Sequence, residues 1–466
     1  MLGDSILQRR PPPVLHVEAC LLAASTARYD HARKHVDAFL REHRPAVVLH
    51  TCVRADELAD VPFLRENLEF IQICEIRGAA DGSDVHCLDN NTVLSIHVFQ
   101  LNEEEGVDQV GDDEQDVVAS NHWLLPARGL QGAWDSLIYD DNVQLKLLDY
   151  VYTSMLFGDR GVDANLVAVN RVALLHGPPG TGKTSLCRAL AQKLAIRLAD
   201  RYSYGKLVEI NSHSLFSKFF SESGKLVMRM FQQIHQLLDD QDVFVCVLID
   251  EVESLSAARK AAMSGMEPSD AIRVVNALLT QLDQLRRKRN VLVLTTSNIT
   301  EAIDVAFIDR ADIKQYIGPP THRARYAILA SCLNELVSKG IICRPASLID
   351  YREIEIWTSP DNSDAASGGS TLNHLPAMCT DEADARTAVR RHEESLLLWK
   401  VAGHCEGFSG RTLRKIPFLA HAFHLGVAVD AIPSLLEYVV AMHLAVIRER
   451  EDKGMLGKAG SVVNGA

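Results

Sequence analysis

Gly177-Pro178-Pro179-Gly180-Thr181-Gly182-Lys183-Thr184 is the stretch on which the reading of this chain turns. It follows an apolar run over 172–176 that reads as a buried strand, and a helix-forming run opens at Lys183. In that setting the glycines let the backbone close into a loop whose N–H groups, with the N-terminus of the next helix, surround a phosphate. Lys183 is then expected to neutralise the β- and γ-phosphates of ATP, and the Thr184 hydroxyl to ligate Mg²⁺. Gly177, Pro178, Pro179, Gly180, Thr181, Gly182 and Ser185 complete the expected nucleotide contacts.

A second element bears on the same chemistry. Val245-Cys246-Val247-Leu248-Ile249-Asp250-Glu251 reads as a buried strand ending in two adjacent carboxylates. Side chains alternate along a strand, so Asp250 can face the Mg²⁺ shell while Glu251 faces an attacking water and polarises it. Alone, a strand-end carboxylate is most often a helix cap; with the glycine loop upstream the pair becomes half of a hydrolysis site. Asn298 closes the run over 291–297 and would lie beside this pair, holding the water or the γ-phosphate. The same spacing also fits a turn residue capping the next segment. Arg310, in Phe307-Ile308-Asp309-Arg310-Ala311-Asp312, precedes a possible strand over 314–317; an isolated arginine there is ordinarily a surface ion pair.

Composition sets the frame. The 466 residues exceed one ordinary core, so two or three domains are expected. Hydrophobic residues make up 47% and charged residues 23%, and no apolar run approaches the ~18 residues of a membrane span. Pro11 to Pro13, His16 and Glu18 interrupt any signal-peptide core, so secretion is not expected. The ten cysteines include no C-x-x-C pair and read as reduced, mostly buried thiols. A net charge of -13 argues against a broad nucleic-acid surface.

Along the chain, 1–102 reads as a small α/β domain, with strands over 47–50, 70–76 and 93–101 and a helix over 27–43. The acidic stretch 103–127 reads as a solvated linker. From 128 to 318 apolar strands alternate with helices, which implies a parallel sheet with helices on both faces. A smaller helical domain is expected over 319–453, with an insertion at about 345–394, and 454–466 reads as a disordered tail.

Together with Gly410-Arg411 these residues resemble the AAA+ ATPases over about 128–450. Further stretches are similar to one family within them. They are Trp134-Asp135-Ser136-Leu137-Ile138-Tyr139, Ser217-Lys218-Phe219-Phe220-Ser221-Glu222-Ser223-Gly224-Lys225, Ile249-Asp250-Glu251-Val252-Glu253-Ser254-Leu255, Asp309-Arg310-Ala311-Asp312-Ile313-Lys314-Gln315-Tyr316-Ile317-Gly318-Pro319-Pro320 and Gly410-Arg411-Thr412-Leu413-Arg414-Lys415. That family is the pachytene checkpoint, or thyroid-receptor-interacting, AAA+ proteins.

The resemblance implies a P-loop α/β ATPase domain with an α-helical lid, assembled as a homo-hexamer. It implies that Asn298 is a first sensor, Arg411 a second sensor from the lid, and Arg310 an arginine finger reaching a neighbouring subunit. It implies that Phe219, with Phe220, forms a pore loop gripping the substrate, where the family more commonly carries a Trp-like residue; by the residues alone both rings also fit a core. Implied partners are HORMA-domain substrates with a HORMA-type adaptor received by the N-terminal domain, in the nucleus and cytoplasm, at checkpoint and meiotic chromosome-axis complexes. Other readings are a AAA+ protease, a nucleic-acid motor, or a nucleotide-gated scaffold without turnover. No H-E-x-x-H metal site occurs, the acidic balance weakens the motor, and the full set Lys183, Glu251, Asn298, Arg310 and Arg411 speaks against the scaffold.

Overall fold

Runs in which alternate or all residues are apolar become the strands of this chain, and runs with apolar residues three and four apart become its helices. The computed structural model describes residues 12–58, 61–78, 85–89, 91–104, 106–110, 118–163, 166–212, 223–255, 270–299, 303–343, 348–358, 382–426 and 432–463. The chain divides into two compact units. One comprises Met1–Asp135, Gln144–His176 and Lys183–Tyr316; the other Ser136–Val143, Gly177–Gly182 and Ile317–Ala466.

The first unit begins with β1 (Val14–Leu21), α1 (Tyr29–His43), β2 (Ala46–Val48), β3 (Cys52–Arg54), α2 (Pro62–Asn67), β4 (Leu68–Arg77), β5 (Val85–Cys87) and β6 (Val93–Gln100). They form a sheet ordered β3-β4-β1-β6 and a separate β2-β5 pair. On α1 the buried residues Ala32, Val36, Phe39 and Leu40 follow helical spacing and seal the sheet. β1 was absent from the predicted strands because His16 and Glu18 interrupt its apolar run; Glu18 is nonetheless buried, inside an ion network described below.

The acidic stretch 103–127, expected as a linker, instead supplies β7 (Val107–Val110) and β8 (Val118–Leu125). Its apolar end, Trp123 to Leu125, pairs antiparallel with a strand of the large sheet, and β7 pairs with β8. Strand pairing thus outweighs the charge of the stretch, much of which lies at 112–116, outside the described residues. There follow α3 (Ala133–Ser136), α4 (Val143–Asp159), β9 (Val172–His176), α5 (Lys183–Arg197), β10 (Tyr204–Asn211), α6 (Ser223–Asp239), β11 (Val243–Asp250), α7 (Asp270–Leu285), β12 (Val291–Ser297), α8 (Val305–Arg310) and β13 (Ile313–Tyr316). The sheet order is β13-β9-β12-β11-β10-β8-β7, and the first five strands run parallel.

Val243, Val245, Val247 and Ile249 face one side of β11 and pack with Val227, Phe231 and Ile234 of α6 and Val275 and Leu278 of α7. On the other side α5 is buried nearly all round, lying against β10, β11 and β12 and also against β6. The chain leaves β9 toward β10, steps back through β11 and β12, then passes β9 to reach β13. Connections therefore diverge between β9 and β12, and the carboxyl ends of strands at such a divergence are where open α/β sheets bind ligands.

The second unit is helical: α9 (His322–Ser338), α10 (Tyr351–Thr358), α11 (Glu382–His404), α12 (Gly410–Ala420) and α13 (Leu435–Val463) enclose a core of Leu329, Leu333, Leu398, Val401, Leu413, Ile416, Val439 and Met442. The expected insertion at 345–394 carries α10 and the start of α11, and its 359–381 lies outside the described residues. The tail expected to be disordered from 454 is helical as far as Val463. Among the described residues no helix is long and apolar enough to cross a membrane.

Candidate nucleotide-hydrolysis site

Within the helical unit, the glycines of the Gly177–Gly182 loop are required by their surroundings. Gly177 has φ 143° and a Cβ there would lie 2.2 Å from the Ile317 carbonyl oxygen; Gly180 has φ 78° and a Cβ would lie 2.7 Å from Ser409 Oγ. Such backbone is strained for any other residue. The Thr181 hydroxyl donates to the Pro178 carbonyl at 3.0 Å, closing the turn. Arg411, in the first turn of α12, donates its backbone N–H to the Gly180 carbonyl at 3.1 Å. Ser409 caps that helix by accepting from Thr412 N–H at 3.3 Å.

In the first unit α5 opens with Lys183, which is buried, followed by Thr184 and the exposed Ser185. Thr184 Oγ1 donates to Asp250 Oδ1 at 2.9 Å and lies 3.2 Å from Oδ2. Asp250 Oδ1 also accepts from the Thr296 hydroxyl, and the Asp250 carbonyl accepts from Ser212 Oγ at 2.6 Å. Glu251 is exposed and has φ 58°, a left-handed backbone rare outside glycine. Its N–H donates to Thr296 Oγ1 at 3.3 Å. Asn298 reaches the same corner: Nδ2 donates to Glu251 Oε1 at 3.5 Å, and its backbone N–H donates to Glu253 Oε1 at 3.0 Å.

Thr184, Asp250, Glu251 and Asn298 are therefore one hydrogen-bonded group at the carboxyl ends of β11 and β12. Arg310 is engaged elsewhere, on Asp283 of α7, which raises its pKa through their hydrogen bonds. His176, at the end of β9, has its pKa lowered by burial and by the Lys183 charge, so it stays neutral beside that lysine. Phe219 and Phe220 lie outside the described residues. Thr296, Glu253, Ser212 and Asp283 were missed by sequence reasoning; the one available signal was Thr295-Thr296-Ser297, a hydroxyl run ending a strand buried throughout.

The donor set at Thr184 and Asp250 is oxygen only, one hydroxyl and one carboxylate. That suits a hard divalent ion which keeps waters and takes its remaining ligands from phosphate. Among the described residues no group of three or more His, Cys, Asp or Glu could hold a metal.

Comparisons with known proteins show the family of the chain. Residues 173–319 match the family model of the ATPases associated with various cellular activities (AAA). Residues 321–450 match the TRIP13-like AAA+ ATPase lid C-terminal domain, and 10–104 the TRIP13 N-terminal domain. The pachytene checkpoint protein 2 homologue of Sus scrofa is 48% identical over 446 residues, 95% of each chain, and that of Homo sapiens 48% over 445. The solved structure of C. elegans PCH-2 superposes with a TM-score of 0.69 at 32% identity, covering 94% of this chain and 99% of that one. A phosphate loop, a paired-carboxylate strand end and likeness along nearly the whole length lead to one conclusion: the chain belongs to the pachytene checkpoint protein 2 (TRIP13-like) family of AAA+ ATPases.

Proposed function

We propose that this ATPase is a hexameric, Mg²⁺-dependent remodeller that draws on HORMA-domain proteins presented with a HORMA-type adaptor, opening closed complexes at mitotic checkpoints and meiotic chromosome axes. The observation that carries the hydrolytic half is the Thr184, Asp250, Glu251 and Asn298 group. The remodelling half is supported by a likeness that extends through the N-terminal and lid segments and is not confined to the ATPase segment.

In this reading Lys183 neutralises phosphate charge, and Thr184 and Asp250 hold Mg²⁺, which supplies further neutralisation at the phosphate oxygens. Glu251 polarises the attacking water, and the Asn298 amide fixes the Glu251 carboxylate and thus the direction in which it accepts a proton. Arg310 and Arg411 complete the charge stabilisation, Arg310 from the adjacent subunit. Phe219 and Phe220 grip the moving substrate. The division of labour is 1–102 for substrate and adaptor, 128–318 for hydrolysis and 319–453 for the lid, with nuclear and cytoplasmic residence.

The test is an ATPase assay with purified HORMA-domain proteins and adaptor, run on the parental chain and on Phe219→Ala. Stimulated turnover and conversion of the closed substrate by the parent, with conversion lost in Phe219→Ala, support the reading. Turnover indifferent to every HORMA protein of the source organism sinks it.

A further inference from the structure

We infer that Thr296 is a positioning residue for hydrolysis, a single buried hydroxyl that holds both carboxylate residues of the β11 corner in place. Thr296 is 1% exposed, near the end of β12, between β11 and β9 in the sheet. A hydroxyl has one proton to donate and can accept in return. Here the proton goes to Asp250 Oδ1, and the oxygen accepts the Glu251 N–H at 3.3 Å. The carbonyl of the same residue accepts the Val252 N–H at 3.0 Å.

Two consequences follow from this connectivity. Asp250 Oδ1 receives donors from Thr184 and Thr296 together, so two hydroxyls from separate elements converge on one carboxylate oxygen. Glu251 has a left-handed φ of 58°, and its N–H and that of Val252 are both tied to Thr296. Backbone of that kind persists only where its surroundings over-determine it, and at a site of chemistry it serves to aim a side chain. The Asn298 contact to Glu251 Oε1 fixes the far end of the side chain, while Thr296 fixes the near end. Valine has almost the shape of threonine, and Thr296 is buried in the hydroxyl run Thr295-Thr296-Ser297 that ends the otherwise apolar β12. The hydroxyl is the feature a packing role would not need.

Because Thr296 is buried and acts through Asp250 and Glu251, its loss is expected in turnover more than in nucleotide affinity. The experiment uses the full chain with Thr296→Val, Thr296→Ser and Thr296→Ala, measuring kcat and KM for ATP, binding of a fluorescent ADP, and thermal melting. Thr296→Val is expected to bind ADP within about threefold of the parent and to lose about 10- to 100-fold in kcat, with Thr296→Ser restored to within about threefold. Parental kcat in Thr296→Val overturns the inference, as does a loss that serine does not restore. If the valine variant does not fold, alanine and serine decide, since both lack the methyl group and only serine keeps the hydroxyl; equal kcat in the two overturns it. The inference rests on Glu251 being the residue that polarises water, so Glu251→Gln is assayed alongside. Parental turnover in Glu251→Gln removes that assignment, whereas an inactive Glu251→Gln beside a fully active Thr296→Val removes only the role of Thr296.

Discussion

Arg310 lies on Asp283 as a two-pronged ion pair, its Nε and Nη2 donating to Oδ1 and Oδ2 at 2.9 and 2.8 Å, while Nη1 donates to the Ala306 carbonyl at 2.8 Å. The side chains are 29% and 54% exposed, so water already screens the pair. A half-wet pair of this kind contributes on the order of 0–1 kcal/mol. A finger acting on a neighbour's phosphate contributes roughly 10³ to 10⁵ in rate, or about 4–7 kcal/mol. An ion pair of that strength would not compete seriously with the finger role proposed for Arg310.

Arg310→Ala chains are expected to bind ATP with parental affinity and to lose about 10³-fold or more in turnover. Mixed with Lys183→Ala chains they should regain activity, because an intact phosphate loop on one chain then meets an intact arginine on the other. Phosphate release measured against mixing ratio checks this, and a flat, inactive series would place Arg310 in its own chain's site.

Gly177→Ala places a methyl group 2.2 Å from the Ile317 carbonyl oxygen at φ 143°. The loop must deform by moving backbone, at a cost of about 1–3 kcal/mol. A lowered melting temperature and at least about tenfold weaker ADP binding are the expected results, read by differential scanning fluorimetry and fluorescence titration.

The N-terminal sheet is joined to α5 through buried charge. Arg197 Nε donates to Glu18 Oε1 at 2.7 Å and its other nitrogens to Glu75 at 3.0 Å, and Lys193 Nζ lies 2.7 Å from Glu18 Oε1. Arg197→Met leaves two carboxylates with one lysine, and losing one partner of a buried network costs about 3–5 kcal/mol. Urea titration should show that loss. A midpoint equal to the parent's would mean that the network is hydrated and dispensable.

Acid should weaken this seam through identified groups. Burial, then the Arg197 charge, lowers His16 to about 4 and His97 to about 3, with Glu75, Arg77 and Glu18 facing the first and Glu18, His16 and Asp200 the second. In the unfolded chain each histidine takes its proton near 6.5. The unfolded state therefore binds more protons as pH falls below about 6.5, and stability declines from there toward pH 3 to 4. Burial alone would raise the Glu18 carboxyl, but Lys193 and Arg197 hold it down to about 2. Its stabilisation is complete above the ordinary carboxylate range and is lost as pH drops through about 2, adding to the decline. Urea midpoints are expected to fall between pH 7.5 and 5.5, with a shallower fall in His16→Gln/His97→Gln; an unchanged slope would remove the histidines as the cause.

Local pattern located much of the architecture. Val172–His176 has the predicted limits, because an unbroken apolar run declares itself within one element. β1 was hidden by His16 and Glu18, and β7 and β8 by acidic neighbours, because whether a charge is buried or a strand is paired depends on residues far along the chain.

The sequence by itself determined that a glycine loop precedes Lys183 and Thr184, that Asp250 and Glu251 end an apolar strand, and that Asn298 ends another. Such motifs are legible because the chemistry needs contiguous residues in a fixed spacing. Only the tertiary structure decided that Thr296, 46 residues from Asp250, supplies it with a hydroxyl, that Asn298, 47 residues from Glu251, donates to its carboxylate, and that Asp283 holds Arg310 across 27 residues. Those relations arise when separate strands and helices pack side by side, and nothing in the spacing of one segment records which residue of another will face it.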